Sequence, residues 1–286
     1  MLNVKWLLCC LLLIKRISQA CGFPPPSFGE FSTMTKSIVI PGLQQGSNYG
    51  YAVWPQNASA GQQFPLISFS HGDFGGGPFI WVYTTLLEQI ASFGFVVIAH
   101  ASCFPTCDNA QYLDQLRVLD WASQMNSAGN ATTHPVLRWV DFTVGFGVSG
   151  HSTGGRATFQ SGVVATKHRI RAGVAINPDP KVDSASNVTE CAIAVFTGTN
   201  DSLEPKGSAL ADFLALPRPK VYANMTGESH ITPISSHPKW GPYAAAWFKV
   251  YINGDRGRFY NLIFGEDSES LCGGGYPMTD CIRRPE

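Results

Sequence analysis

Residues 142–155 read FTVGFGVSGHSTGG, the signature of a strand turning sharply into a helix. An apolar, strand-like run leads into Gly150-His151-Ser152-Thr153-Gly154, which fits G-x-S-x-G. A serine on a tight turn between strand and helix adopts a strained backbone, and its neighbours must be small because side chains there would collide. The turn lifts Oγ above the end of the sheet and aims the following backbone N–H at a developing negative charge. Residues 153–166 have helical character, and Gly155 allows close packing. The same stretch satisfies G-x-G-x-x-G through Gly145, Gly147 and Gly150. A dinucleotide site needs that pattern after its first strand, with an acidic residue about 20 positions on. Here it lies mid-chain, with no Asp or Glu between Asp141 and Asp179, so a nucleotide cofactor is excluded.

Working outward, strand-like and helical segments alternate. Residues 36–40, 49–54, 65–70, 95–99, 142–148, 172–176, 192–197 and 220–225 read as strands. Residues 79–92, 109–125, 153–166, 207–216 and 240–251 carry apolar residues at helical spacing, and 259–264 reads as a last strand or a packed tail. The alternation indicates βαβ units, hence an α/β fold with a mostly parallel sheet, and right-handed crossovers put helices on both faces. No linker, repeat or lid-sized insertion interrupts the pattern, so residues 21–286 are expected to be one domain.

An acid and a base are expected after Ser152 in the order acid, then histidine. Asp201 follows the 192–197 strand and His230 follows the 220–225 strand. Both sit on loops at strand C-terminal ends, the edge that carries Ser152. In this arrangement His230 takes the Ser152 proton and returns it to a leaving alcohol, while Asp201 orients the ring. Asp179 is the alternative acid and His237 the nearby competing histidine. Two backbone donors complete the site: Thr153 N–H, and one from the HGDFGGG loop at 71–77, with Asp73 first and Phe74 as the alternative. Phe79, Trp81 and Tyr83 either line an acyl pocket or form helix core. His71, Asp73, His100 and His151 include no H-E-x-x-H pattern, and no metal or other cofactor is expected. His71 and His151 read as packing beside the oxyanion loop.

Lys+Arg and Asp+Glu are 20 each. With no basic excess, nucleic-acid binding is a poor reading. Residues 1–20 (MLNVKWLLCCLLLIKRISQA) have the layout of a secretory signal: Lys5, an apolar run too short to span a bilayer, and small residues at Ser18 and Ala20. Cleavage there leaves a net charge of about −3 and an extracellular protein, expected to be a monomer without a transmembrane span. Six cysteines then remain. Proximity favours Cys272–Cys281 and Cys103–Cys107, which leaves Cys21 with Cys191; the first pair staples a C-terminal tail. Asn57, Asn130, Asn187 and Asn224 head N-x-S/T triplets, glycosylation acceptors in a eukaryotic host.

The order and spacing of His71-Gly72, IASFGFVVIAHAS (90–102), GHSTGG (150–155), TGTNDS (197–202) and MTGESHITP (225–233) resemble the α/β-hydrolases. The sequence is similar to chlorophyllase-like esterases, platelet-activating-factor acetylhydrolases and cutinase-like polyester hydrolases, over residues 36–265. AAAWFKVYINGD (244–255), followed by a terminal cysteine pair, is similar to the polyester hydrolases in particular. The resemblance implies an α/β-hydrolase fold, Ser152, Asp201 and His230 as triad, and Asp73 and Thr153 as oxyanion donors. Three cleft positions depart from the polyester hydrolases. Asp73 replaces an aromatic residue, Thr153 a methionine, and Asn177-Pro178-Asp179 a segment bearing tryptophan. The expectation is a secreted serine esterase acting on small or short-chain esters. A cutin- or polyester-type hydrolase and a non-catalytic binding module are the alternatives. A dienelactone-type enzyme fits less well, since those place cysteine at the elbow.

Overall fold

The computed structural model describes residues 25–44, 48–180, 185–204 and 206–286. The signal-like segment and Cys21 lie outside them.

Among the described residues one sheet has nine strands in the order β1-β2-β4-β3-β5-β6-β7-β8-β9. They are β1 (Thr33–Val39), β2 (Tyr49–Pro55), β3 (Leu66–Ser70), β4 (Val96–His100), β5 (Phe146–His151), β6 (Ile170–Ile176), β7 (Ala192–Asn200), β8 (Lys220–Ser229) and β9 (Met278–Arg284). The six from β4 to β8 pair in parallel, while β1, β2 and β9 add antiparallel edges. β3, β4 and β5 are buried along their whole length, as central parallel strands covered on both faces must be.

The helices are α1 (Thr84–Ser92), α2 (Gln111–Ser127), α3 (Thr153–Val163), α4 (Ala165–His168), α5 (Lys206–Ala215), α6 (Gly241–Tyr251) and α7 (Arg258–Phe264). They divide the core in two. Leu116 and Leu119 of α2, Phe159 of α3 and Phe213 of α5 pack on one face of the sheet. Leu87 and Ile90 of α1, Trp247 and Phe248 of α6 and Ile263 of α7 pack on the other. The α/β expectation therefore holds, with helices on both faces.

Three details differ from the sequence reading. Residues 259–264 are helical, not a strand: Asp255 Oδ1 accepts Gly257 N–H and Phe259 N–H and so caps the segment's first turn. The stapled tail contains an edge strand, β9, which places Cys281 opposite Ala223 of β8. β5 starts at Phe146 because Asp141 closes a turn on Thr143, and the Arg169 guanidinium binds the carbonyls of Phe142, Thr143 and Val144.

Cys103–Cys107 and Cys272–Cys281 are disulfides. Among the described residues Cys191 is a free, buried thiol whose burial pushes its pKa up to about 12; Cys21, its expected partner, lies outside them. Asn57, Asn130 and Asn187 are exposed. Asn224 is fully buried in β8, where its amide donates to Thr279 Oγ1 at 2.7 Å. A glycan has no room there, which removes Asn224 as an acceptor. No helix among the described residues is long and apolar enough to cross a membrane.

Candidate active site

Parallel strands deliver all their C-terminal ends to one edge of the sheet, and the site is assembled there. Ser152 links β5 to α3 with φ 56° and ψ −121°, a left-handed backbone that a side chain tolerates only when its surroundings enforce it. The enforcement comes from its small neighbours. A Cβ on Gly150 would meet Gly154 O at 2.1 Å, and one on Gly154 would meet Ser70 O at 2.1 Å. Neither position admits another residue without rebuilding the turn.

His230 directly follows β8, and Asp201 directly follows β7. His230 Nδ1 lies 2.9 Å from Asp201 Oδ2. The other carboxylate oxygen, Oδ1, accepts Leu203 N–H at 3.0 Å and Glu204 N–H at 2.8 Å. The Asp201 carboxylate is thereby fixed with one oxygen reserved for the imidazole. The His230 ring sits beside the His151 ring, centroids 4.7 Å apart, and His151 is the residue before Ser152. The structure thus brings the Ser152, Asp201 and His230 loops together.

The side chains of the alternatives are engaged with other partners. Asp179 is buried against Arg156, Oδ2 to Nη1 2.6 Å, and Arg156 also donates to Asp108 O. His237 is exposed and bonded to Ser236 Oγ.

Thr153 N–H is at the first position of α3, where a helix leaves its amides without intrahelical partners. In the facing loop Phe74 N–H is taken by Pro105 O at 2.8 Å and Gly75 N–H by Gly72 O at 2.9 Å. Of the two residues expected to donate, that leaves Asp73, whose side chain is exposed to solvent. Behind the loop, His100 contacts Ser70 Oγ and Ser102 Oγ, and Ser102 Oγ donates to Asp114 at 2.6 Å. His71 contacts the carbonyls of Gly72 and Ser102. Burial lowers the pKa of His71 and, more strongly, of His100. These histidines belong to the support of the loop.

Of the three aromatic residues left open by the sequence, Tyr83 is buried while Phe79 and Trp81 are exposed. Sequence reasoning missed two features. One is the Arg156–Asp179 pair, whose members stand 23 positions apart. The other is the Tyr83 hydroxyl, bonded to His151 across 68 positions. No local signal announces either.

A mostly parallel sheet that presents a serine on a strained turn, with the Asp–His pair on two later loops of the same edge, defines an α/β-hydrolase. The sequence model of the PET hydrolase-like family matches residues 26–278. The chain belongs to that family, a cutinase-like polyester hydrolase group within the α/β-hydrolase superfamily. Membership supports hydrolysis of carboxylic esters. No match is found among curated proteins.

Proposed function

We propose that the protein is an exported serine hydrolase that cleaves carboxylic esters through an acyl-Ser152 intermediate. The observation that carries this reading is Ser152 on its strained turn, the ring of the preceding His151 lying 4.7 Å from that of a His230 held by Asp201 at 2.9 Å. His230 Nε2 removes the Ser152 proton as Oγ attacks the ester carbonyl. The tetrahedral oxyanion is met by the N–H groups of Thr153 and Asp73. His230 then passes its proton to the departing alcohol. Water repeats the sequence on the acyl-enzyme and releases the acid. Asp201 orients the imidazole and stabilises its cationic form.

For the substrate we favour esters with short acyl segments, free or carried by an apolar polymer. Family membership supports the polymer. So does a set of exposed apolar side chains on the site's own loops: Phe74 beside Asp73 (69% exposed), Leu203 near Asp201 (66%) and Ile231 beside His230 (61%). Large exposed apolar groups gathered around one site mark a contact surface. Two disulfides fit an oxidising compartment.

The test is hydrolysis of p-nitrophenyl esters from two to sixteen carbons and of an aliphatic polyester suspension, with Ser152→Ala as control. Turnover that vanishes in the variant is expected, with the optimum at short chains. Activity confined to emulsified long-chain fats would overturn the substrate assignment. Absence of both ester turnover and Ser152 labelling by a fluorophosphonate would overturn the hydrolase reading itself.

A further inference from the structure

We propose that Tyr83 and His151 are positioning residues that lock the oxyanion loop, the serine turn and the His230 loop to one another through a single hydrogen-bond chain. This inference rests on the serine-hydrolase reading above.

The chain has four members. Gly72 N–H donates to Tyr83 Oη at 2.8 Å. Tyr83 Oη lies 2.8 Å from His151 Nδ1. His151 Nε2 lies 2.7 Å from the His230 carbonyl oxygen. The direction of every bond follows from chemistry. A carbonyl only accepts, so His151 carries its proton on Nε2. Its Nδ1 is then bare and accepts the Tyr83 proton, which frees the phenol oxygen to accept Gly72 N–H. Each polar group has one complementary partner, and only this tautomer of neutral His151 satisfies all of them. Protonation of His151 would set its Nδ1–H against the phenol and strand the Tyr83 proton. Burial first, and the neighbouring His230 ring second, push the His151 pKa down to about 3, which favours the neutral form the chain requires.

The ends of the chain give it a role beyond packing. Gly72 precedes Asp73, the candidate oxyanion donor, so the phenol fixes the peptide that leads into that donor. His151 precedes Ser152. The His230 carbonyl belongs to the residue proposed as base, and it also receives Asn177 Nδ2 at 3.3 Å. The junction is tight: a Cβ on Gly72 would meet Ser152 Cβ at 3.0 Å, His151 Nδ1 at 3.1 Å and Tyr83 Oη at 3.3 Å. Three separately encoded loops are therefore held in register by two side chains that need not touch substrate.

Tyr83→Phe deletes one hydroxyl and keeps the ring, which packs against Phe69 at 5.0 Å. It leaves Gly72 N–H and His151 Nδ1 buried without partners. The expected result is a folded protein whose kcat falls by at least about tenfold with KM little changed. The rate of fluorophosphonate labelling should fall in parallel. His151→Gln, which can still donate to the His230 carbonyl, should retain more activity than His151→Ala. Wild-type kcat in folded Tyr83→Phe would overturn the proposal. A second measurement does not depend on that variant folding: nitrogen NMR of the wild-type imidazoles should show His151 protonated on Nε2 and not titrating between pH 5 and 8. A proton on Nδ1, or a titration in that range, would overturn it equally. Wild type that neither turns over esters nor labels would sink the hydrolase reading, while the tautomer measurement would still judge the chain of bonds.

Discussion

Asp179 and Asp201 both follow sheet strands, both are buried, and each holds a basic side chain, yet their partners give them opposite consequences. Asp179 faces the Arg156 guanidinium, with both side chains almost fully removed from solvent. Removing one member of such a pair leaves an uncompensated buried charge, which costs about 3–5 kcal/mol. Asp179→Ala is therefore expected to lower unfolding free energy by about that amount, read from urea titration. Asp201→Asn is expected to keep most of the stability and to lower kcat by about 10³–10⁴-fold, because an amide no longer selects the right imidazole tautomer. If Asp179→Asn instead abolished turnover in a protein of normal stability, the acid would have been misassigned. The gathering of Ser152, Asp201 and His230 at one sheet edge was legible in sequence because their chain order and their positions just past strand ends follow from topology. Tyr83 was not, because a tyrosine at helical spacing carries no sign of what its hydroxyl will meet. Its partner lies on another strand end, and only the assembled sheet brings the two together.

The same contrast holds for whole elements. Central strands such as 95–99 were legible because burial on both faces demands an unbroken apolar run. β9 was not, because an antiparallel edge strand with one open side alternates little, and its residues are mostly half-exposed. The 259–264 segment shows the reverse error. Its aromatic residues favour a strand locally, but the Asp255 cap and packing of Ile263 into the core select a helix. The Cys272–Cys281 bridge ties the connection after α7 to β9, the two cysteines standing nine positions apart. Closing a loop of that size contributes about 2–3 kcal/mol in the chain-entropy account. Cys272→Ser is expected to lower thermal stability accordingly and to leave kcat near wild type, since β9 pairs with β8 only as far as Met225, short of His230. Loss of kcat in the folded variant would show that the edge strand also sets the position of the histidine loop.

Across the whole molecule, parallel strands gather the chemistry at one edge, and the polar groups needed to brace that edge must be buried beneath it. His71, His100 and His151 are the result, all enclosed and all with pKa values lowered by burial. This arrangement has a consequence for stability. A histidine whose pKa is lower in the folded state than in the unfolded chain binds more protons on unfolding once the pH drops below about 6.5. Its stabilisation is complete above that pH and is lost as the pH falls toward the folded value. His100 and His151 have the strongest shifts. From pH 7.5 to 5.5 the protonation of these two imidazoles in the unfolded chain alone is expected to lower stability. Asp114, whose carboxyl is pushed up by burial, acts in the opposite direction. Urea titrations at the two pH values should therefore show a markedly lower midpoint at pH 5.5 with an unchanged slope. In His151→Gln the difference between the two pH values should shrink, since the variant has nothing to protonate there. Equal midpoints in wild type at both pH values would mean that these imidazoles are not held neutral, and the bracing of the oxyanion loop would then have to rest on charged histidines.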